Sequence, residues 1–281
     1  MKRSSGFRRV MRAGGRKTLA AVAAAAAWAA LAGCASTGAR ADEPAAKGPV
    51  VETIRVKLPA GGAKVDLYWP GSDSPAPLVI VAHGFSRHRR HMSGWGQHLA
   101  GEGFAVAVPD LPAWSDQARN GRFLSELRAY LCAGEAWRRR IDPSRVGLVG
   151  FSAGGLASLL SAADGPDLAI WVGLDPVDRN GLGTRAAPQV KCRAVVLTAE
   201  PSSCNAHGNA RALIAALPHC ERFAIPGTVH VDAEWPTDRM AEAFCGRSTE
   251  EKRGEFRRRA TAALLEALAE RPTAQAEVGT P

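Results

Sequence analysis

The sequence predicts an α/β fold: one domain built on a mostly parallel, eight-stranded sheet with helices on both faces and no large lid. Three observations carry that expectation. From residue 50 onward, short β-rich runs alternate with helix-length segments. The later runs are continuously apolar, as strands buried on both faces are. The stretch between the sixth and seventh strands, Pro176 to Cys192, is too short to hold a separate lid domain.

The strand candidates are 51–58, 64–70, 77–83, 104–110, 145–150, 168–175, 193–199 and 221–227. The first two, "VETIRVKL" and "KVDLYWP", alternate apolar and polar residues, the pattern of half-exposed antiparallel strands. Helices are expected at 90–101, 122–140, 153–163, 205–217 and 249–270. In the last of these Phe256, Ala260, Ala263, Leu264 and Leu268 form an apolar stripe. Strand–helix alternation of this kind builds a parallel sheet covered on both sides. The domain is expected to span 50–271, with a disordered tail at 272–281.

The N-terminus reads as an export signal. Seven Lys and Arg residues precede residue 18 with no acid among them, and the Ala-rich run "TLAAVAAAAAWAALAGC" follows. A basic start, a short apolar run and small residues at its end are the marks of a secretory signal. The run from Leu19 to Gly33 falls short of the roughly 20 apolar residues that a span needs. Setting aside the seven cations lowers the net charge from +9 to +2, so the basic balance does not point to nucleic acid. Leu31-Ala32-Gly33-Cys34 resembles the lipobox of bacterial lipoproteins. That resemblance implies cleavage of 1–33, lipidation of Cys34 and anchoring in the bacterial cell envelope, with a plain signal peptide or an anchor helix as the other readings. Residues 34–49, small, polar and proline-containing, are expected to form a flexible tether.

Export alters what the cysteines mean. Besides Cys34 there are Cys132, Cys192, Cys204, Cys220 and Cys245, and an oxidising compartment favours pairs. No CxxC spacing points to a metal. Strand register suggests Cys192 with Cys220. Cys204 and Cys245 both follow the carboxyl edge of the sheet and are expected to form a second bridge, leaving Cys132 as a free thiol.

The chemistry centres on "VGLVGFSAGGLAS", residues 146–158. A Gly-x-Ser-x-Gly match is weak alone, but here an apolar strand runs into it and a helix follows. Gly150, Gly154 and Gly155 suit a sharp turn that holds Ser152 up as a nucleophile; a helix N-cap is the plainer role, and the two are compatible. A serine hydroxyl needs a base to take its proton and donors for the oxyanion. His230 follows the eighth strand at its carboxyl edge, where catalytic groups of open α/β sheets collect. His219 precedes that strand and His207 opens a helix, so His230 is the candidate base. For the acid, Asp175 comes directly off the sixth strand; Asp178 and Glu200 are alternatives, each also readable as a turn residue. The oxyanion donors are expected to be the amides of Ala153 and Phe85, with Ser86 as the alternative to Phe85. His83 reads as support for the loop after the third strand. The cluster Arg87-His88-Arg89-Arg90-His91 reads as a solvated helix start or as an attraction for anionic substrates. Trp114 and Trp235, on loops at the same edge, are candidate walls of the substrate pocket.

Taken together, "HGF" (83–85), "VGFSAGG" (149–155), "GLDP" (173–176) and "VHVDAEWP" (229–236) resemble the α/β-hydrolase superfamily over residues 50–270, in the right order. The "GLDPVD" segment is similar to chlorophyllases and secreted platelet-activating-factor acetylhydrolases, which place the acid after the sixth strand. The polyester and dienelactone hydrolase branches usually keep an Asp after the seventh, where this chain has Ser202. The resemblance implies a lipid-anchored serine esterase acting on small-molecule or lipid esters, with no cofactor, no metal and no nucleic-acid partner. A peptidase or acyltransferase with the same triad, or a non-catalytic envelope binding protein, are the rival readings.

Overall fold

A computed structural model describes residues 49–165 and 168–269. The expected signal 1–33, Cys34, the tether but for Pro49, and the tail 272–281 lie outside the described residues. All eight expected strands form: β1 (Val50–Leu58), β2 (Gly61–Trp69), β3 (Ala76–Ala82), β4 (Ala105–Pro109), β5 (Ile141–Phe151), β6 (Ile170–Leu174), β7 (Arg193–Thr198) and β8 (Cys220–Ala224). They make one sheet in the order β1-β2-β4-β3-β5-β6-β7-β8. β1, β2 and β4 pair antiparallel, and every pair from β4 onward is parallel.

The helices are α1 (Ser93–Gly101), α2 (Gln117–Ala133), α3 (Ala153–Ala163), α4 (Leu182–Ala186), α5 (Arg211–Ala216), α6 (Arg239–Cys245) and α7 (Glu250–Ala267). Period-two alternation along each central strand feeds two separate cores. Leu78 and Ile80 of β3, Leu148 of β5, Trp171 of β6 and Val196 of β7 face α2 and α3, where Phe123, Leu124, Leu127 and Leu159 meet them. Val79, Val149, Val172 and Val195 face the other way, onto Trp95 and Leu99 of α1 and Phe256 and Leu264 of α7. Each fully buried large side chain contributes about 1.5–3 kcal/mol, so both faces anchor the central strands and fix where their carboxyl ends stop.

Three expectations shift. α2 starts at Gln117 rather than 122, because Asp116 caps it by accepting from the Arg119 N–H at 2.9 Å, and it ends before Gly134 rather than running to 140. The helix expected over 205–217 shrinks to Arg211–Ala216, because Ala206, His207 and Gly208 take left-handed φ of 49°, 58° and 69°. Cys192 and Cys220 remain free thiols. The register explains this: Cys220 stands opposite Ala194, two residues beyond Cys192. Cys132 is also free, and Cys204 and Cys245 form a disulfide.

Candidate active site

The turn between β5 and α3 puts Ser152 at φ 54°, ψ −120°, a conformation that costs a non-glycine residue on the order of 1–3 kcal/mol. Its neighbours hold it there. A Cβ on Gly150 would stand 2.2 Å from Ser158 Oγ, and one on Gly154 would stand 2.2 Å from the His83 carbonyl oxygen, so only glycine lets α3 approach β5 and the loop after β3. The Ser152 N–H donates to the Leu174 carbonyl at 3.1 Å, and the Ser152 carbonyl accepts from Val177 at 3.2 Å. The strained turn is thus tied to the end of β6.

Asp175 is the first residue past β6, at φ 43°. Its N–H donates to the Leu197 carbonyl at 2.7 Å. Its carboxylate is buried and accepts from the Ala199 N–H at 3.1 Å, from Asn205 Nδ2 at 3.0 Å and from His230 Nδ1 at 2.6 Å. His230 opens a short 3-10 turn (His230–Ala233) after β8. Its Nε2 lies 2.9 Å from Ser152 Oγ, and the Phe151 ring packs against the imidazole with centroids 4.7 Å apart. A carboxylate only accepts, so Nδ1 carries a proton, and the tautomer protonated there alone offers Nε2 as an acceptor for the serine hydroxyl. Hydroxyl, imidazole and carboxylate in this order can strip a proton from the serine and hold the resulting imidazolium.

The two other acid candidates stand elsewhere. Asp178 accepts from the Gly183 and Thr184 N–H groups at 2.8 and 3.0 Å and from Thr184 Oγ1 at 2.7 Å, which caps α4. Glu200 is exposed and accepts from the Gly227 N–H at 3.2 Å.

Ala153 is the first residue of α3, and the opening N–H groups of a helix have no intrahelical acceptor. Phe85 lies in the turn closed by the Arg87 N–H to the Gly84 carbonyl at 3.3 Å, followed by Ser86 at φ 59°. A cavity of about 50 Å³ is lined by His83, Phe85, Trp114, Gln117, Asn120 and Ala153. Trp114 is 69% exposed and meets Phe85 edge-on at 5.0 Å. Trp235, expected beside it, packs elsewhere: it covers Gly94 of α1, with the Arg257 guanidinium of α7 4.2 Å above its ring. His83 supports the loop as expected, accepting the Leu111 N–H at Nε2 (2.9 Å) while Nδ1 donates to the Gly84 carbonyl (2.8 Å). Burial pushes its pKa down to about 4. In the cationic cluster, Arg89 pairs with Asp66 and Asp110, and Arg87 pairs with Glu234 and Asp238. Two of its charges are therefore satisfied within the protein.

Asn205 was not legible as a site residue. Its amide also donates to the Glu200 carbonyl at 2.9 Å, and its Oδ1 accepts from Ser202 and Gly208. The S-x-x-N spacing of Ser202 and Asn205 signals a capped turn; nothing in it says that the amide reaches Asp175.

Comparison with known proteins adds a family. The family model described as PET hydrolase-like matches residues 24–214. The chain is 29% identical over 213 residues to the bis(hydroxyethyl) terephthalate hydrolase of Streptomyces coelicolor, covering 69% of this chain and 67% of that protein. It is 30% identical over 113 residues to cutinase 2 of Thermobifida cellulosilytica, covering 39% of this chain and 43% of the cutinase; it thus spans less than half the length of that enzyme. Among solved structures, a dienelactone hydrolase from Anabaena variabilis superposes with a TM-score of 0.57 at 21% identity, covering 66% of this chain and 89% of that one. A dienelactone hydrolase-like promiscuous phosphotriesterase from metagenomic libraries gives 0.61 at 15% identity, covering 79% and 99%; these likenesses speak to the fold. The match therefore runs to the polyester-hydrolase branch, from which the missing Asp after β7 had seemed to set the chain apart. β6 and β7 are neighbours. Asp175 comes off one, and the loop after the other supplies Asn205 to hold it.

Proposed function

Given that the chain belongs to the PET hydrolase-like family, we propose that it is a carboxylic-ester hydrolase working through Ser152, His230 and Asp175. Ser152 Oγ attacks the ester carbonyl carbon while its proton passes to His230 Nε2. Asp175 holds the imidazolium in place, and the Ala153 and Phe85 amides receive the oxyanion. Collapse expels the alkoxide, which takes the proton back from Nε2 and leaves as the alcohol. A water then attacks the acyl-enzyme with His230 again as base, and the carboxylic acid departs.

The observation that carries this reading is the unbroken line from Asp175 Oδ2 through both imidazole nitrogens to Ser152 Oγ, at 2.6 and 2.9 Å. The relatives' names supply the reaction class, esters of terephthalate and of cutin type. The short β6–β7 connection, with only α4 and a 3-10 turn in it, has no room for a separate lid domain, which favours exposed esters as substrates. Trp114 and Phe85 offer an aromatic surface beside the oxyanion loop. Export and anchoring through Cys34 complete the proposal and rest on the first 34 residues of the sequence alone.

The test is a substrate panel. Purified protein should hydrolyse p-nitrophenyl esters of short acyl chains and bis(hydroxyethyl) terephthalate, and leave peptide anilides intact. Preferential cleavage of the anilides would overturn the ester reading.

A further inference from the structure

The loop that offers the oxyanion donor and the turn that carries the imidazole lie far apart in the chain, yet one side chain joins them. Arg87 closes the turn containing Phe85. Its guanidinium reaches 147 residues along the chain to Glu234, with Nε 2.5 Å from Oε1 and Nη2 2.7 Å from Oε2. Glu234 is fully buried and stands four residues after His230, its N–H closing the 3-10 turn on the Val231 carbonyl at 3.2 Å. A third contact, Arg87 Nη2 to Asp238 Oδ2 at 3.0 Å, extends the tie to the N-cap of α6. The same two segments meet through backbone and indole donors: Trp235 N–H to the His91 carbonyl (3.1 Å), Gly94 N–H to the Trp235 carbonyl (3.0 Å) and Trp95 Nε1 to the Ala233 carbonyl (2.9 Å).

We infer that Arg87 is a positioning residue, whose two-pronged bond to Glu234 sets the distance between the Phe85 amide and the His230 imidazole; this rests on the ester-hydrolase reading above. Two parallel N–H···O bonds between planar groups fix orientation as well as separation, which a single-point ammonium does not. Attack on the carbonyl needs the oxyanion donor and the base to act on one tetrahedral centre at once. A small slip between their two loops therefore lowers the rate of the chemical step while ground-state binding stays the same. The other contacts between the segments keep them associated when the guanidinium is gone, so the effect falls on geometry more than on folding.

The experiment compares wild type with Arg87→Lys and Glu234→Gln in kcat and KM on p-nitrophenyl acetate, in the affinity for phenylboronic acid, whose tetrahedral adduct at Ser152 fills the oxyanion site, and in Tm. Ser152→Ala serves as the reference for the site itself. The expected result is a fall in kcat of about tenfold or more with KM within about twofold, and a parallel weakening of boronate binding. If Arg87→Lys does not fold, Glu234→Gln, which keeps the shape of the buried side chain, carries the same expectation. A purely structural role would lower Tm and leave kcat and boronate affinity of the folded protein as in wild type; that result overturns the inference while Ser152→Ala remains inactive. Full activity in Ser152→Ala would instead overturn the site reading, and this inference with it.

Discussion

Asn205 Nδ2 stands 3.0 Å from Asp175 Oδ2, the same oxygen that receives His230 Nδ1–H at 2.6 Å. Both partners are buried. A carboxylate oxygen held from two sides has one orientation left, and that orientation aims the imidazole at Ser152. Asn205→Asp keeps the acceptor that the Ser202 and Gly208 N–H groups use and turns the donor into a like charge facing Asp175. Its kcat on a p-nitrophenyl ester should fall at least about tenfold with KM little changed. Unaltered kcat in a folded variant would show that the Ala199 N–H alone orients the acid.

The three acid candidates separate cleanly by substitution. Asp175→Asn should cost about 10⁴ in kcat, the scale of losing the carboxylate that fixes a catalytic imidazole. Asp178→Asn leaves the relay untouched; it replaces one of the two oxygens that accept from Gly183 and Thr184 with a donor, and lowers stability by about 1 kcal/mol. Glu200→Gln, at an exposed side chain, should match wild type within about twofold. Steady-state kinetics on the three proteins decides the matter, and activity surviving in Asp175→Asn would remove Asp175 from its role.

Much of this is legible in the sequence. The continuous apolar runs "PLVIVAH" and "VVLTA" fit strands covered on both faces, and both are. "VGFSAGG" announced a strand–turn–helix because its glycines sit where a Cβ would strike backbone. What stayed hidden was lateral. Whether Cys192 stands opposite Cys220 depends on a register offset of two residues that periodicity leaves open. Asn205 and Glu234 reveal themselves only through partners 30 and 147 residues away, and a local pattern holds no such information. The place of Trp235 is hidden for the same reason: its loop lies at the carboxyl edge, and its ring turns to α1 and α7.

The buried imidazole of His83 makes stability depend on acid. Its pKa falls from an ordinary 6.5 to about 4 in the folded chain, chiefly through desolvation. Between those values the unfolded chain binds a proton that the native one excludes, so stability drops as pH falls from 6.5 toward 4 and is fully recovered above 6.5. The loss amounts to about 3 kcal/mol by pH 4. Urea unfolding across that window should show a shallower acid slope in His83→Gln than in wild type; identical slopes would assign the acid sensitivity to other groups.

The thiols divide by reactivity. Burial pushes Cys192 and Cys220 up to about 11, and raises Cys132 as well, so little thiolate exists at pH 8. Iodoacetamide should label all three far more slowly in the native protein than in urea. The Cys204–Cys245 bridge closes a separation of 41 residues, worth about 4 kcal/mol on the chain-entropy scale. Cys245→Ser should lower unfolding stability by an amount of that order. Rapid native labelling of Cys192 would contradict the burial argument.

The proposed chemistry requires a covalent bond to one oxygen. Protein mixed with a p-nitrophenyl ester, quenched in acid within the burst and digested, should yield a single acylated peptide, modified at Ser152 and missing in Ser152→Ala. An acyl group found on another residue, or turnover that persists in Ser152→Ala, would contradict it.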